Sequence, residues 1–411
     1  MSILVTDGNQ RSTLAVVRAL GKAGVAVTVA ESQTRSLAGV SRYCGGRLLH
    51  PSPEQDSPGF VEFVRGVLAN ERYDTLIPMT DVSLQLTALA GQETASRVRL
   101  PIPSARAVER ALDKRAMLML AEQMGLACPR TCALSQAADL EDLARRLEYP
   151  VVIKPRFSKY RCGNRWISEG VHYAGTPAEL IGHYQRVHSM VPDPLVQECI
   201  QGEGRGVFLL LWEGELKAAF CHRRLREKPP WGGVSVCRES IALDQALVER
   251  SVALLRALEW QGVAMVEYKM DERDGLPKFM ELNGRFWGSL QLATDAGLNF
   301  PLLLHRLSMG EKPEPQFGYK TGVKSRWLLG DLDHLWLSLR HRNKWPTGAR
   351  PVQSRWRVCM DFLKFLEPDL HYEVFRLDDP APGCLESAAY VAGLFRSAKR
   401  RQEKLGGAGA Y

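Results

Sequence analysis

The chain of 411 residues has no CxxC pair, no visible internal repeat and no long low-complexity stretch. Nor does it have an apolar run near the ~18 residues that a membrane span needs. Each absence removes a class of protein. The nine cysteines are scattered and odd in number, and Cys128 and Cys132 alone lie close, with no histidine nearby. This argues against a zinc site or a disulfide framework and fits a reducing cytoplasm. The opening MSILVTDGNQ has no basic stretch ahead of a long apolar one, so it reads as a first β-strand and not as an export signal. No Gly-x-Gly-x-x-Gly occurs, so NAD binding is not inferred.

What is present is an ordinary globular composition, 45% hydrophobic and 24% charged, on a chain too long for one core, so roughly two to four domains are expected. The net charge is +8. Basic residues are dense in 154–165, 222–228, 339–344 and 396–404. The first two clusters lie beside other site-like residues and suit an anionic ligand. The last precedes GGAGAY and reads as a solvated tail. No nucleic-acid-binding module is recognisable, so no nucleic-acid partner is expected.

Along the chain, Ser2–Val5 reads as a strand, 12–23 as a helix closed by Gly24, and 25–30 as a second strand. This β-α-β opening predicts a parallel sheet. A later strand, 76–79, ends on Thr80-Asp81. Proline-rich RLPIPSARAV marks a boundary near residue 105. Helices follow over 106–126 and about 137–147, then the strands YPVVIKP and PLVQECI. RGVFLLLWEGELKAAFCHRRL reads as two strands joined at Glu213-Gly214. A helix over 243–259 precedes the strands VAMVEYKM and PKFMEL.

That last hairpin invites a register argument. If Asp271 faces Pro277, Glu267 faces Glu281 across a five-residue loop. Opposed carboxylates on one sheet face repel unless something positive lies between them. Glu281, Asn283 and Arg285 alternate, so in an extended chain they share a face. Two carboxylates and an amide oxygen form an all-oxygen set suited to Mg²⁺. The alternative is a pair of surface charges on an exposed hairpin. Upstream, Lys154 ends a buried strand and can act as a point charge on phosphate, or simply snorkel at the strand end. Lys114, Glu198 and Glu203 are weaker signals taken singly.

In chain order, LDKRAML, YPVVIKP, QECIQGEGRG, MVEYKM and MELNGRFWGS together resemble the ATP-grasp superfamily. The likeness is to its carbamoyl-phosphate-synthase-like and biotin-carboxylase-like branch, which includes carboxylate–amine ligases such as D-aspartate ligase. It covers about residues 1–310. The fold it implies is mixed α/β and α+β: a Rossmann-like pre-ATP-grasp domain over 1–105, the two ATP-grasp lobes over 106–190 and 191–312, and a C-terminal extension over 313–411. By match, Lys114 and Lys154 would contact the phosphates of ATP. Glu198, Cys199 and Ile200 would line the adenine, largely through backbone, and Glu203 would hold the ribose. Glu267, Glu281 and Asn283 would carry Mg²⁺, with Mn²⁺ as a substitute, and Arg285 would face the transferred phosphate. Of the basic strand CHRRLREK, Arg224 is the best candidate to grip a substrate carboxylate, because its strand leads into Trp231-Gly232-Gly233. The alternative is a solvated strand edge. Loop 156–165 is the candidate lid.

The resemblance implies a cytoplasmic enzyme that phosphorylates a small-molecule carboxylate and couples it to an amine. An ATP-dependent carboxylase using bicarbonate and a non-catalytic ATP-binding sensor are the alternatives. No biotin-carrier motif, glutaminase region or second ATP-grasp copy is visible. Residues 313–411 match nothing, and capping the site, forming a homodimer and meeting a partner all stay open for them. GDLDHLWLSLRHR reads as an amphipathic packing helix rather than a membrane anchor.

Overall fold

A computed structural model describes residues 2–134, 139–163, 165–341, 345 and 353–406, with side chains to Arg396 in the last helix. Residues 407–411 of the tail GGAGAY, the basic residues 397–404 as side chains, 342–344, and the start of the helix expected near 137 lie outside the described residues.

The opening β-α-β pattern builds a four-stranded parallel sheet. Its strands are β1 (Ser2–Val5), β2 (Ala26–Glu31), β3 (Gly46–Leu49) and β4 (Thr75–Ile77), in the order β3-β2-β1-β4. Its second strand begins one residue later than the pattern suggested. Helix Arg11–Lys22 packs its apolar side on this sheet. Helix Asp81–Glu93 starts at the end of β4, where the Thr80 side chain caps it.

A second lobe has the sheet order β5-β10-β6-β9. Its strands are β5 (Thr131–Ala133), β6 (Val151–Lys154), β9 (His172–Ala174) and β10 (Leu195–Glu198), and between β6 and β9 lies the hairpin β7 (Tyr160–Cys162) and β8 (Arg165–Ile167). Val151, Ile153 and Val196 point into a core shared with helices Leu140–Arg146 and Pro177–His188. The period of two in a strand therefore turns Val152 and Lys154 the other way.

The largest sheet has seven strands, β15-β14-β11-β12-β13-β16-β17. These are β11 (Gly204–Trp212), β12 (Glu215–Lys228), β13 (Val234–Ile241), β14 (Gly262–Met270), β15 (Pro277–Asn283), β16 (Lys324–Arg326) and β17 (Leu370–Tyr372). The turn between β11 and β12 is Glu213-Gly214, both with positive φ, the two-residue hairpin geometry that matches strand twist. One face, with Val207, Leu209, Ala219, Val266 and Phe279, packs against helix Gln245–Ala257 and the helices Ala105–Leu112 and Lys114–Gln123. The other face carries Phe208, Leu210, Phe220 and Met265, which join one core with Val5, Leu14 and Val29 of the first sheet and Val374 near the C-terminus.

The C-terminal extension is thus woven into the rest. It supplies β16 and β17 to the large sheet, and Arg18 of the first helix pairs with buried Asp379 at 2.8 Å. Helix Leu328–Arg340 packs on β12 and β13, as expected of a packing helix. Among the described residues no helix is long and apolar enough to cross a membrane.

Candidate functional site

The β14–β15 hairpin places Glu267 opposite Glu281, as the alternation predicts. Toward the turn the register differs from the expectation: Pro277 pairs with Met270, not with Asp271, because Met280 is an extra residue between the Glu267–Glu281 and Tyr268–Phe279 pairs. This bulge has a packing cause. Phe279 and Leu282 are three residues apart, yet both enter the same core, which strict alternation forbids. On the far side of the bulge, Glu281, Asn283 and Arg285 all open onto one cleft.

Register carries this face across the sheet. Glu267 pairs with Gly206, and Gly206 with His222, so the row Glu281–Glu267–Gly206–His222 crosses β15, β14, β11 and β12. Residues directly opposed in a sheet share a face. Two residues along, Arg224 lies over Gly204 and reaches Glu267, Nη2 to Oε2 at 2.5 Å, while its Nη1 donates to Glu227 at 3.0 Å. A Cβ on Gly204 would lie 2.8 Å from Arg224 Cδ. The glycine is what lets the arginine cross β11.

The second lobe closes over this face. Lys154 ends β6 on its cleft-facing side and donates to Gln197 Oε1 at 2.8 Å. Lys114, at the start of its helix, donates to Ser158 Oγ at 2.6 Å. The cleft they share with Glu267, Glu281, Asn283, Arg285 and Arg224 has a volume of about 370 Å³. Glu198, Cys199 and Ile200 also line it. The Glu198 carboxylate is turned to Arg130 and Arg273, and the Ile200 carbonyl accepts from Lys269 Nζ at 3.2 Å. Glu203 is not brought into the cleft lining; it pairs with Arg205 at 3.0 Å and Arg223 at 3.5 Å. Of the three arginines on β12, Arg224 lines this cleft, whereas Arg223 pairs with Glu239 and Arg226 with buried Asp331. Loop 156–165 bridges toward the first domain through Lys159–Glu54 at 2.9 Å, and Trp166 Nε1 beyond it donates to Ser57 at 2.9 Å.

The electrostatics follow from burial and neighbours. Burial, helped by the nearby Lys269 and Lys114 charges, brings Lys154 down to about 8, against the pull of Glu281. Burial pushes Glu267 up; Arg224 opposes that, and Glu281 adds to it. Burial also acts upward on Glu281, but Lys114, Lys154, the Asn283 amide and Arg224 outweigh it and its pKa falls. The opposed acids are therefore unequal partners. Among the described residues no three His, Cys, Asp or Glu side chains cluster to hold a metal. The oxygen donors here are two carboxylates and Asn283 Oδ1, which now accepts from Arg285 at 3.2 Å. That set fits a hard cation that takes its remaining ligands from phosphate and water. Arg285 itself is held by Asp81 at 3.2 Å, the residue after the polar end of β4.

Sequence reasoning missed Gln197, Lys269, Glu227, Arg11 and Arg238, all on the cleft wall. Lys269 was within reach, since it lies two residues beyond Glu267 on the same strand. Arg11, Arg238 and Glu227 carry no local signal.

A family model described as ATP-grasp in the biosynthetic pathway with Ter operon matches residues 190–329. Among curated proteins no sequence matches. The chain is similar in structure to an L-amino acid ligase from Bacillus licheniformis, with 20% identity, 75% of this chain and 74% of that chain covered, and a TM-score of 0.59. It is similar to the N5-carboxyaminoimidazole synthetase from Staphylococcus aureus at 12% identity, covering 86% and 90%, with a TM-score of 0.63. A third likeness is to the biotin carboxylase domain of the Hydrogenobacter thermophilus 2-oxoglutarate carboxylase, solved with MgADP and bicarbonate, at 13% identity, covering 79% and 73%, with a TM-score of 0.63. The chain therefore shares its fold with these enzymes, and over residues 190–329 it matches an ATP-grasp family model.

Proposed function

We propose that this ATP-grasp chain is a ligase that phosphorylates a carboxylate with ATP and joins the resulting acyl phosphate to an amine. The carrying observation is the convergence of Lys114, Lys154, Glu267, Glu281, Asn283 and Arg285 on one cleft from separate lobes. Simple nucleotide storage needs no such balanced set of cations and oxygen donors. The neighbours' printed activities, amino-acid ligation and carboxyaminoimidazole synthesis, support the reading.

Lys154 and Lys114 hold the phosphate chain as point charges. The backbone of Cys199 and Ile200 meets the adenine, since the Glu198 side chain is already engaged. A ribose role for Glu203 requires its carboxylate to leave Arg205. Glu267, Glu281 and Asn283 would hold Mg²⁺, which when bound would offset the charge that gathers around the phosphates. Arg285, fixed by Asp81, faces the transferred phosphoryl group. A carboxylate oxygen of the acid bonds to the γ-phosphorus as the bond to the leaving ADP oxygen breaks. The amine nitrogen then bonds to the acyl carbon, phosphate leaves with the C–O electron pair, and the nitrogen gives up a proton. Loop 156–165, whose Ser158 accepts from Lys114, would keep water from the acyl phosphate.

The test is ADP release with Mg-ATP over pools of carboxylic acids, with hydroxylamine as trapping nucleophile. The expected product is a stable hydroxamate whose mass identifies the acid. Stimulation of ADP release by bicarbonate alone would support a carboxylase instead. Protein that binds ATP yet forms neither ADP nor hydroxamate with any pool would favour a sensor.

A further inference from the structure

The inner end of the cleft, away from the lysines, holds polar groups that phosphoryl transfer does not use. His222, Arg238 and Trp287 line the cleft and are each 1% exposed. Among the described residues, Arg238 Nε, Trp287 Nε1, Arg224 Nε and both ring nitrogens of His222 have no hydrogen-bond partner. Buried polar atoms are almost always paired, so unpaired ones lying just behind the cleft lining mark a place where a small side-chain shift would meet a polar ligand. The imbalance has a sign. Burial, with the nearby Arg224 and Arg238 charges, keeps His222 neutral, so it offers one donor and one acceptor. The other three atoms are N–H donors. The missing partner is therefore an acceptor.

The charges agree. Arg11, from the start of the first helix, also lines the cleft, and Arg11 and Arg238 share a single carboxylate oxygen, Glu373 Oε2. Glu373 is not on the cleft wall; it lies behind the two guanidiniums and holds them. Glu386, next nearest, accepts from Trp327 Nε1 at 2.8 Å, and burial pushes its pKa up, toward the neutral form. Arg238 Nη1 also donates to the Ser235 carbonyl at 2.8 Å, so the two guanidiniums that line the cavity share one committed carboxylate and leave charge for one more anion.

This subsite is not where phosphoryl transfer occurs. Arg238 is on β13, four strands from Glu281 on β15, or roughly 19 Å at the backbone for spacings of ~4.8 Å. Resting on the ligase reading above, we propose that the inner end of the cleft binds a carboxylate that is not activated, held by Arg238 and Arg11 and positioned by Glu373 of the C-terminal extension. That carboxylate belongs either to the acid, which then has two, or to an amine that is itself an amino acid. On this account residues 313–411 complete the substrate site.

The experiment is calorimetric titration of the full chain with succinate and with glycine, at constant ionic strength, and separately with Mg-ATP. The wild type should bind one of the two probes saturably. Succinate would place the second carboxylate on the acid, and glycine on the amine. Arg238→Met should weaken that binding at least tenfold while Mg-ATP affinity stays within twofold. If Arg238→Met fails to fold, Arg11→Gln, at a side chain 14% exposed, takes its place with the same expectation. Wild type that binds neither probe, or a variant that binds as the wild type does, overturns the subsite. Wild type that binds a probe but not Mg-ATP would instead remove the nucleotide reading and leave the carboxylate subsite standing.

Discussion

The end of the cleft proposed for the phosphates takes its oxygen donors from one hairpin, while the inner end takes Arg11, Arg238 and Glu373 from a first helix, a middle strand and a late loop. At the first end, spacing along two strands is enough to bring the groups together. At the second, nothing brings them together except the shared core that seats the first sheet and Val374 against the large sheet. The phosphate end is a property of a strand pair. The inner end is a property of the whole fold.

Substitutions sharpen this contrast. The largest expected effect is Glu281→Ala, which should lower Mg-dependent ATP turnover by about 10³-fold or more, equivalent to ~4 kcal/mol, with unchanged circular dichroism. Turnover at the wild-type level would sink the metal assignment. Lys154→Ala comes next, with nucleotide affinity falling about 10- to 100-fold, the range for a charge-assisted contact. Equilibrium titration with ATP decides it.

The same lysine gives a pH prediction. Its pKa of about 8 in the free protein means that it carries its charge below that pH and loses it above. kcat/KM for ATP should therefore decline above pH 8, whereas an ordinary lysine near ~10.4 would keep the profile flat. The stability term has the opposite slope. A folded pKa below the unfolded one makes the charged form the disfavoured one, so Lys154 adds stability as pH rises from about 8 toward the unfolded value.

Two glycines of β11 give the smaller effects. At Gly206 an added Cβ would fall 2.5 Å from Phe208 Cζ and 2.8 Å from the His222 ring, both buried. Gly206→Ala should cost about 1–3 kcal/mol in urea unfolding, as overpacking does. At Gly204 the Cβ meets the Arg224 stem, which can move. Gly204→Ala should change stability by under ~1 kcal/mol and act on the Arg224–Glu267 contact instead. Equal stability losses at both positions would show that Arg224 is fixed as rigidly as the rings.

Which parts of this were legible in the sequence follows from the same contrast. The Glu267–Glu281 pair, the Glu213-Gly214 turn and the amphipathic helices follow from periodicity and turn chemistry, which act over a few residues. The bulge at Met280 does not, because it answers to the core that Phe279 and Leu282 must both enter. β16 and β17 are three residues each, too short for a pattern, and exist because the edge of β13 offers a partner to β16, and β16 in turn to β17. Arg11 follows an unremarkable DGNQ, and its place over the Trp327 ring at 3.9 Å is set by chain folded some three hundred residues later. Glu203 shows the reverse: its motif fits, yet its carboxylate is turned to two arginines.

The second lobe's core, built from Leu140, Val151, Ile153, Leu180 and Val196, shares no buried residue with the core that joins the first sheet, the large sheet and the extension. The first sheet, the large sheet and the extension hold each other through common side chains. Amide protons of β5, β6, β9 and β10 should thus exchange with their own opening free energy, while those of β1 and β11 exchange together. Lys154 rides on the separable part and Glu281 on the fixed one. Whatever spans the two, a phosphate chain above all, should slow exchange across the whole lobe, including helix Pro177–His188, which lies behind the sheet and does not line the cleft.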